Sequence, residues 1–153
     1  MPDQRECGSA AGLEENGSFR PEGKFHFPRE EHLKGRNDIK AVFSRGRRFT
    51  CSSAGCRNGS CNSVKLFVLK NNLGINRICF TFSRGFGNAV KRNHAKRLGR
   101  EAFRLLRPRL YGGYDLILLV FPETNPQIKN LRPSLSARTR QLEFLFSKAG
   151  ILK

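Results

Sequence analysis

The stretch at 114–121, Tyr-Asp-Leu-Ile-Leu-Leu-Val-Phe, constrains the fold more than any other part of this chain. It holds one charge in eight residues and shows no polar alternation. A strand written this way has no face for water, so a second layer must cover each side of it. The stretch therefore predicts a central strand in a sheet that carries helices. It is also far shorter than the roughly 20 apolar residues that span a bilayer.

The rest of the sequence supplies the layers. Residues 64–70 read as one strand and 75–83 as another, with Asn71-Asn72-Leu73-Gly74 as the turn between them. In the second strand Ile78, Phe80 and Phe82 alternate with Arg77, Cys79 and Thr81. A helix is expected over 33–45, with Ile39, Val42 and Phe43 on one face, Asn37 or Asp38 as N-cap, and Gly46 as its end. A longer helix is expected over 88–107, stopped by Pro108. A last helix, capped by Ser134 or Ser136, runs to about 148 with Leu142, Leu145 and Phe146 as its stripe. Residues 49–63 and 122–133 read as loops, and one more strand fits within 47–63. The expected class is α+β: a small α/β sandwich with one mixed four-stranded sheet and about three helices.

Length and composition place the boundaries. The chain has 153 residues, the size of one domain. Residues 1–22 are rich in Gly, Ser, Glu and Asn and predict a disordered N-terminal extension, which leaves 23–153 as the domain. The first residues lack an apolar core segment of the secretory type, so a cytoplasmic location is expected. Five cysteines are present, Cys7, Cys51, Cys56, Cys61 and Cys79, with no C-x-x-C pair. Zinc would want closer pairs and a fourth ligand, so Cys51, Cys56 and Cys61 read as free thiols of a loop in a reducing compartment.

Charge points to the partner. The formal net charge is +17, and residues 1–23 carry two basic against five acidic side chains, which leaves +20 on the remainder. A compact domain repels itself at that charge, and a polyanion relieves the repulsion while releasing counterions. Nine basic residues and one acid, Glu101, lie between Arg84 and Arg109. On a helical projection with Arg92 at zero, Lys96, Arg107, Arg100, Asn93, Arg104 and Arg97 fall between about 40° and 140°. Leu105, Leu98, Ala102, Ala95 and Leu106 fall between about 220° and 320°, with Phe103 at the edge of the basic comb. A run of charge is usually a solvated face. Here the counter-charges are missing and arginine, whose planar fork fits phosphate, outnumbers lysine. The helix also follows Gly85-x-Gly87, which leaves backbone N–H groups open to a phosphate.

Other chemistry is poorly supported. A dinucleotide fingerprint would need a third glycine where Val90 stands, and no Walker A sequence is present. A self-contained nuclease needs clustered carboxylates or paired histidines. The acids beyond the tail, Glu30, Glu31, Asp38, Glu101, Asp115, Glu123 and Glu143, are scattered, and Glu30-Glu31 is expected on the surface. His26, His32 and His94 stand apart in sequence. No catalytic residue and no metal ligand is assigned.

Residues 87–104, Gly-Asn-Ala-Val-Lys-Arg-Asn-His-Ala-Lys-Arg-Leu-Gly-Arg-Glu-Ala-Phe-Arg, closely resemble the signature of the bacterial ribonuclease P protein family. Leu33-x-x-x-x-Asp38-Ile39-x-x-Val42-Phe43-x-x-Gly46 resembles that family's first helix, and Arg77-x-x-x-Thr81-Phe82-Ser83-Arg84 the strand before the signature. The likeness extends over about residues 29–150. It implies a left-handed βαβ crossover through the signature helix, against the usual hand. It implies an endoribonuclease holoenzyme that removes the 5′ leader of precursor tRNA, with Mg2+ held mainly by a catalytic RNA subunit and no cofactor in the isolated protein. The implied partners are that RNA and precursor tRNA, with no membrane and no protein partner required.

The resemblance also implies site residues. Arg92, Asn93, Lys96, Arg97 and Arg100 match positions that contact the catalytic RNA, and Arg77, Arg84, Asn88, Lys91 and Arg104 join them as RNA-binding residues. Ile39, Phe43, Val68 and Lys70 match the leader-binding cleft. Phe43 has a second reading as a core residue of its helix. Four positions depart from the family pattern: Ile39 for a usual Phe, Lys70 where an aromatic residue can occur, Gly85 for a frequent Lys, and His94 for a frequent Arg. Charge alone leaves two alternatives, a basic ribosomal or ribosome-assembly protein and a DNA-binding module. No helix-turn-helix pair or dimer seam supports the latter.

Overall fold

The computed structural model describes residues 27–51, 64–122 and 134–153. In chain order these form a 3-10 turn (Arg29–Glu31), α1 (Arg36–Arg45), β1 (Arg47–Thr50), β2 (Val64–Lys70) and β3 (Arg77–Phe82). Then come α2 (Ala89–Leu106), a second 3-10 turn (Arg107–Arg109), β4 (Tyr114–Val120) and α3 (Leu135–Ala149). The sheet order is β1-β2-β4-β3. β2 is antiparallel to β1 and to β4, and β3 is parallel to β4. The expected mixed four-stranded sheet with three helices is therefore present, and β1 is the additional strand.

β4 lies inside the sheet, and Leu116, Ile117 and Leu118 are fully buried. Alternate side chains serve two different layers. Leu116, Leu118 and Val120 join Val64, Leu66, Val68 and Ile78 against Ala102, Phe103 and Leu106 of α2 and Leu142, Leu145 and Phe146 of α3. Ile117 points the other way, into a smaller cluster with Leu33 and Val42, flanked by Ile39, Phe67, Leu69 and Cys79. Each buried Leu, Ile or Phe contributes roughly 1.5–3 kcal/mol, which is why a strand apolar on both sides forces a helix onto each face.

Several sequence expectations are corrected. α1 starts at Arg36, and its N-cap is Gly35 without a side-chain hydrogen bond. Asn37 and Asp38 therefore lie within the first turn and cannot be the N-cap, and the Asp38 carboxylate accepts from Arg77 instead. β3 begins at Arg77, not at 75. The Asn71 amide donates to the Ile75 carbonyl and its oxygen accepts from Leu73 N–H, so the turn holds the chain longer. Ser134 is the cap of α3, accepting from Ala137 N–H, and Gly150 ends that helix in the left-handed region at φ +70°. Cys51, read as a free thiol, is fully buried beneath the sheet and disulfide-bonded. Cys79 is the free cysteine among the described residues. The expected extension 1–22, together with Cys7, Cys56 and Cys61, lies outside the described residues.

The buried face of α2 is rotated from the projected one. Phe103, placed at the edge of the comb, has no exposed surface, whereas Leu105, placed in the core stripe, is 46% exposed. Gly99 explains the rotation. A Cβ there would lie 2.5 Å from Cε1 and 2.8 Å from Cδ1 of Phe80, so the missing side chain lets α2 settle onto the β3 ring. An interior glycine costs a helix about 0.5–1 kcal/mol against alanine, and close packing offsets this. Gly99→Ala is accordingly expected to destabilise by about 1–3 kcal/mol through overpacking. Urea denaturation checks this, and a stabilised variant would show that Phe80 moves aside freely.

Candidate nucleic-acid interface

The path from β3 into α2 needs two backbone conformations that favour glycine, Gly85 at φ +82° and Gly87 at φ +139°. Asn88 then caps α2, its side-chain oxygen accepting from Lys91 N–H at 3.0 Å. No acid lies in the first turn. Arg84, Asn88, Lys91, Arg92, Asn93, His94, Arg97 and Arg100 are exposed, and Lys96 is half-buried with its ammonium 6.0 Å from the centre of the Phe82 ring. Among the described residues, Arg84, Lys91, Arg92, Lys96, Arg97 and Arg100 form no ion pair.

The C-terminal part of the comb differs from the sequence expectation. Arg104 pairs with Glu101, Arg107 with Glu31 at 2.7 Å, and Arg109 with Glu143 at 2.6 Å. The Arg104 contact holds the Glu101 carboxyl below its ordinary range. Glu31, expected on the surface, is half-buried in its contact with Arg107. The counter-charges missing from the helix sequence come partly from other elements, so the open cations concentrate on the N-terminal two-thirds of α2.

Arg77 stands apart from the comb. Its Nε and Nη2 donate to the two oxygens of Asp115 at 2.7 and 2.6 Å, and Nη1 donates to Asp38 at 3.1 Å. Asn71 completes the network with a 2.6 Å hydrogen bond to Asp115. Asp115 is buried, at 4% exposure. The forked bond to Asp115 raises the Arg77 guanidinium above its ordinary value against the opposing cost of burial. These contacts tie α1 to β3 and β4.

The four cleft residues do not share one surface. Ile39 and Phe43 lie on α1, and Phe43 is 41% exposed with its ring edge-on to Phe67 at 4.9 Å between centres. Val68 belongs to the opposite face of the sheet, 3% exposed in the core beneath α2 and α3, and Lys70 has the same parity. The residues that face α1 from β2 are Lys65, Phe67 and Leu69. Phe67 and Lys65 went unrecognised in the sequence because β2 is apolar at almost every position, so its alternation is silent. The pairing of Phe67 with Ile117 fixes the parity. Lys65 extends this surface, its ammonium 4.7 Å from the centre of the Phe121 ring. Phe43 and Phe67 thus form a half-exposed aromatic surface where α1 meets the sheet, with Lys65 on the same face of β2.

Of the acids among the described residues, Glu31, Asp38, Glu101, Asp115 and Glu143 each bind an arginine. Asp38 and Asp115, the pair that folding brings together, share Arg77 between them. This donor set is neutralised by cations and does not fit a divalent metal, which needs carboxylate oxygens free to coordinate. Burial pushes the Cys79 thiol up, with Lys96 opposing, so it is a weak nucleophile.

A sheet layered by helices, presenting a helix of open arginines, defines an α+β protein built to meet a polyanion. The ribonuclease P family model matches residues 27–148. The ribonuclease P protein component of Dictyoglomus turgidum is 34% identical over 133 residues, 86% of this chain and 98% of that protein. That of Natranaerobius thermophilus is 54% identical over a shorter stretch of 56 residues, 37% of this chain and 49% of that protein. The solved ribonuclease P protein of Staphylococcus aureus shares the fold with a TM-score of 0.60 at 19% identity, over 80% of this chain and 98% of its own. The Thermotoga maritima protein does so with a TM-score of 0.57 at 23% identity, over 75% and 94%. The chain belongs to the ribonuclease P protein family, whose members are subunits of the endoribonuclease that processes tRNA.

Proposed function

We propose that the exposed cations of α2 hold the catalytic RNA subunit, and that the aromatic surface where α1 meets the sheet takes the single-stranded 5′ leader of precursor tRNA. The observation that carries the first half is the open comb: Arg84, Lys91, Arg92, Lys96, Arg97 and Arg100 without counter-charges among the described residues, beside Asn88 and Asn93. Phosphates supply those charges, and forked guanidinium contacts orient the RNA. Arg104, held by Glu101, takes part at the far end of the comb, and Arg77 acts indirectly by fixing α1. The second half rests on the exposed Phe43 ring, which offers a stacking platform, with Lys65 placed for a phosphate.

The division of labour follows from the acids. The Mg2+ that this reaction requires is held mainly by the RNA subunit, a reading supported by the engagement of Glu31, Asp38, Glu101, Asp115 and Glu143 by arginines among the described residues. The protein contributes binding, charge neutralisation and alignment of the leader, and it works in the cytoplasm.

Reconstitution with a bacterial ribonuclease P RNA at low magnesium and physiological salt tests the proposal. The protein is expected to stimulate precursor-tRNA cleavage over RNA alone, and no stimulation would overturn it. Phe43→Ala is expected to weaken the holoenzyme's affinity for a substrate with a leader by about 1–3 kcal/mol. It should barely change affinity for mature tRNA. Equal losses for the two ligands would place Phe43 in the scaffold instead.

A further inference from the structure

A second pocket lies at the other edge of the sheet. Its roof is the segment before α1, which is held at three points. Phe27 packs edge-on against Phe103 at 5.8 Å, Glu31 pairs with Arg107, and Leu33 N–H donates to the Ile78 carbonyl at 3.1 Å. Beneath it is a cavity of about 170 Å3, walled by Phe27, His32 and Phe80 and rimmed by Lys34, Lys96 and Arg100. Phe27 and His32 meet edge to face at 4.4 Å, which presents an aromatic corner to the space. No acid lines the pocket. Its volume suits one planar ring and is well below the roughly 300 Å3 at which sites for larger ligands begin.

The geometry points to a pocket for one unpaired, flipped-out nucleotide of the RNA subunit, its base among Phe27, His32 and Phe80 and its phosphate on Lys34, Lys96 and Arg100. The combination argues for a nucleotide over a bare anion or an apolar ligand. A phosphate alone needs no aromatic walls, and an apolar molecule needs no ring of cations. Unpaired bases are what RNA offers to stacking side chains, because its paired major groove is too deep and narrow to read. The location selects the source. Lys96 and Arg100 belong to the comb, whereas the Phe43 surface lies over Phe67 of β2, with β4 between β2 and β3. The inference rests on the reading of α2 as the site for the RNA subunit, and it makes the contact discriminating where phosphate contacts alone are blind to sequence.

The test uses the full chain. In NMR titrations, adenosine 5′-monophosphate is expected to shift ring resonances of Phe27, His32 and Phe80, and ribose 5-phosphate to leave them in place. Equal shifts with both, or none with either, would overturn the base pocket. In filter binding with the RNA subunit, His32→Ala is expected to weaken affinity about tenfold or more, His32→Phe to restore most of it, and Lys34→Ala to flatten the salt slope by about one ion. Thermal melts of each variant verify folding. If Arg92→Ala with Arg97→Ala weakens RNA binding and folded His32→Ala does not, the comb stands and the pocket falls. If neither weakens it, the reading of α2 falls with it.

Discussion

Replacing Arg92 and Arg97 together by alanine is expected to reduce affinity for the RNA subunit at least tenfold and to flatten the salt dependence by about two ion equivalents at most. Both guanidiniums are exposed on α2 and form no ion pair with a described residue, so their removal strips phosphate contacts while leaving packing intact. Affinity for a polyanion falls with salt in proportion to the counterions released, and each lost phosphate contact removes roughly one from that count. Equilibrium binding across a range of salt concentrations reads both quantities. An unchanged slope would mean that these arginines face solvent in the complex. The same double change at Arg107 and Arg109 should flatten the slope less, because Glu31 and Glu143 already neutralise them.

The largest effect on stability is expected at Asp115. Its carboxylate receives both ends of the Arg77 fork and the Asn71 amide, at 4% exposure. Asp115→Ala leaves a mostly buried guanidinium with one weaker contact to Asp38 and deprives Asn71 of an acceptor. Breaking one partner out of a buried pair costs about 3–5 kcal/mol, most of it the penalty of stranding the other charge. For a domain of this size the melting temperature should fall by about 10 °C or more. The loss should be non-additive with Arg77→Met, since removing both charges removes the stranded one. Additive losses in that cycle, or a loss under about 1 kcal/mol, would show that the network contributes little to stability.

The Asp115 network also shows where the sequence stops being informative. Arg77 is one of several arginines near the signature, and nothing local distinguishes it from Arg84. Only the parallel pairing of β3 with β4 sets Arg77 opposite Asp115, and only the docking of α1 brings Asp38 within reach. Val68 and Phe67 make the same point. Where both faces of a strand are buried, both are apolar, and parity is then fixed by pairing partners distant in sequence.

The sequence by itself indicated the order of the elements, the layering of the sheet and the excess of cations along α2. A strand apolar at nearly every position must be covered twice, and arginines without neighbouring acids must find their counter-charge elsewhere. The tertiary structure decided how α2 is rotated, since Gly99 lets the helix fall against Phe80 and carries Phe103 into the core. It also decided which arginines remain open, since Glu31 and Glu143 reach Arg107 and Arg109 from other elements. Periodicity records which side of a helix is apolar. How closely that side approaches its neighbour, and which charges meet across the gap, depend on side chains that are remote in the chain and adjacent in the fold.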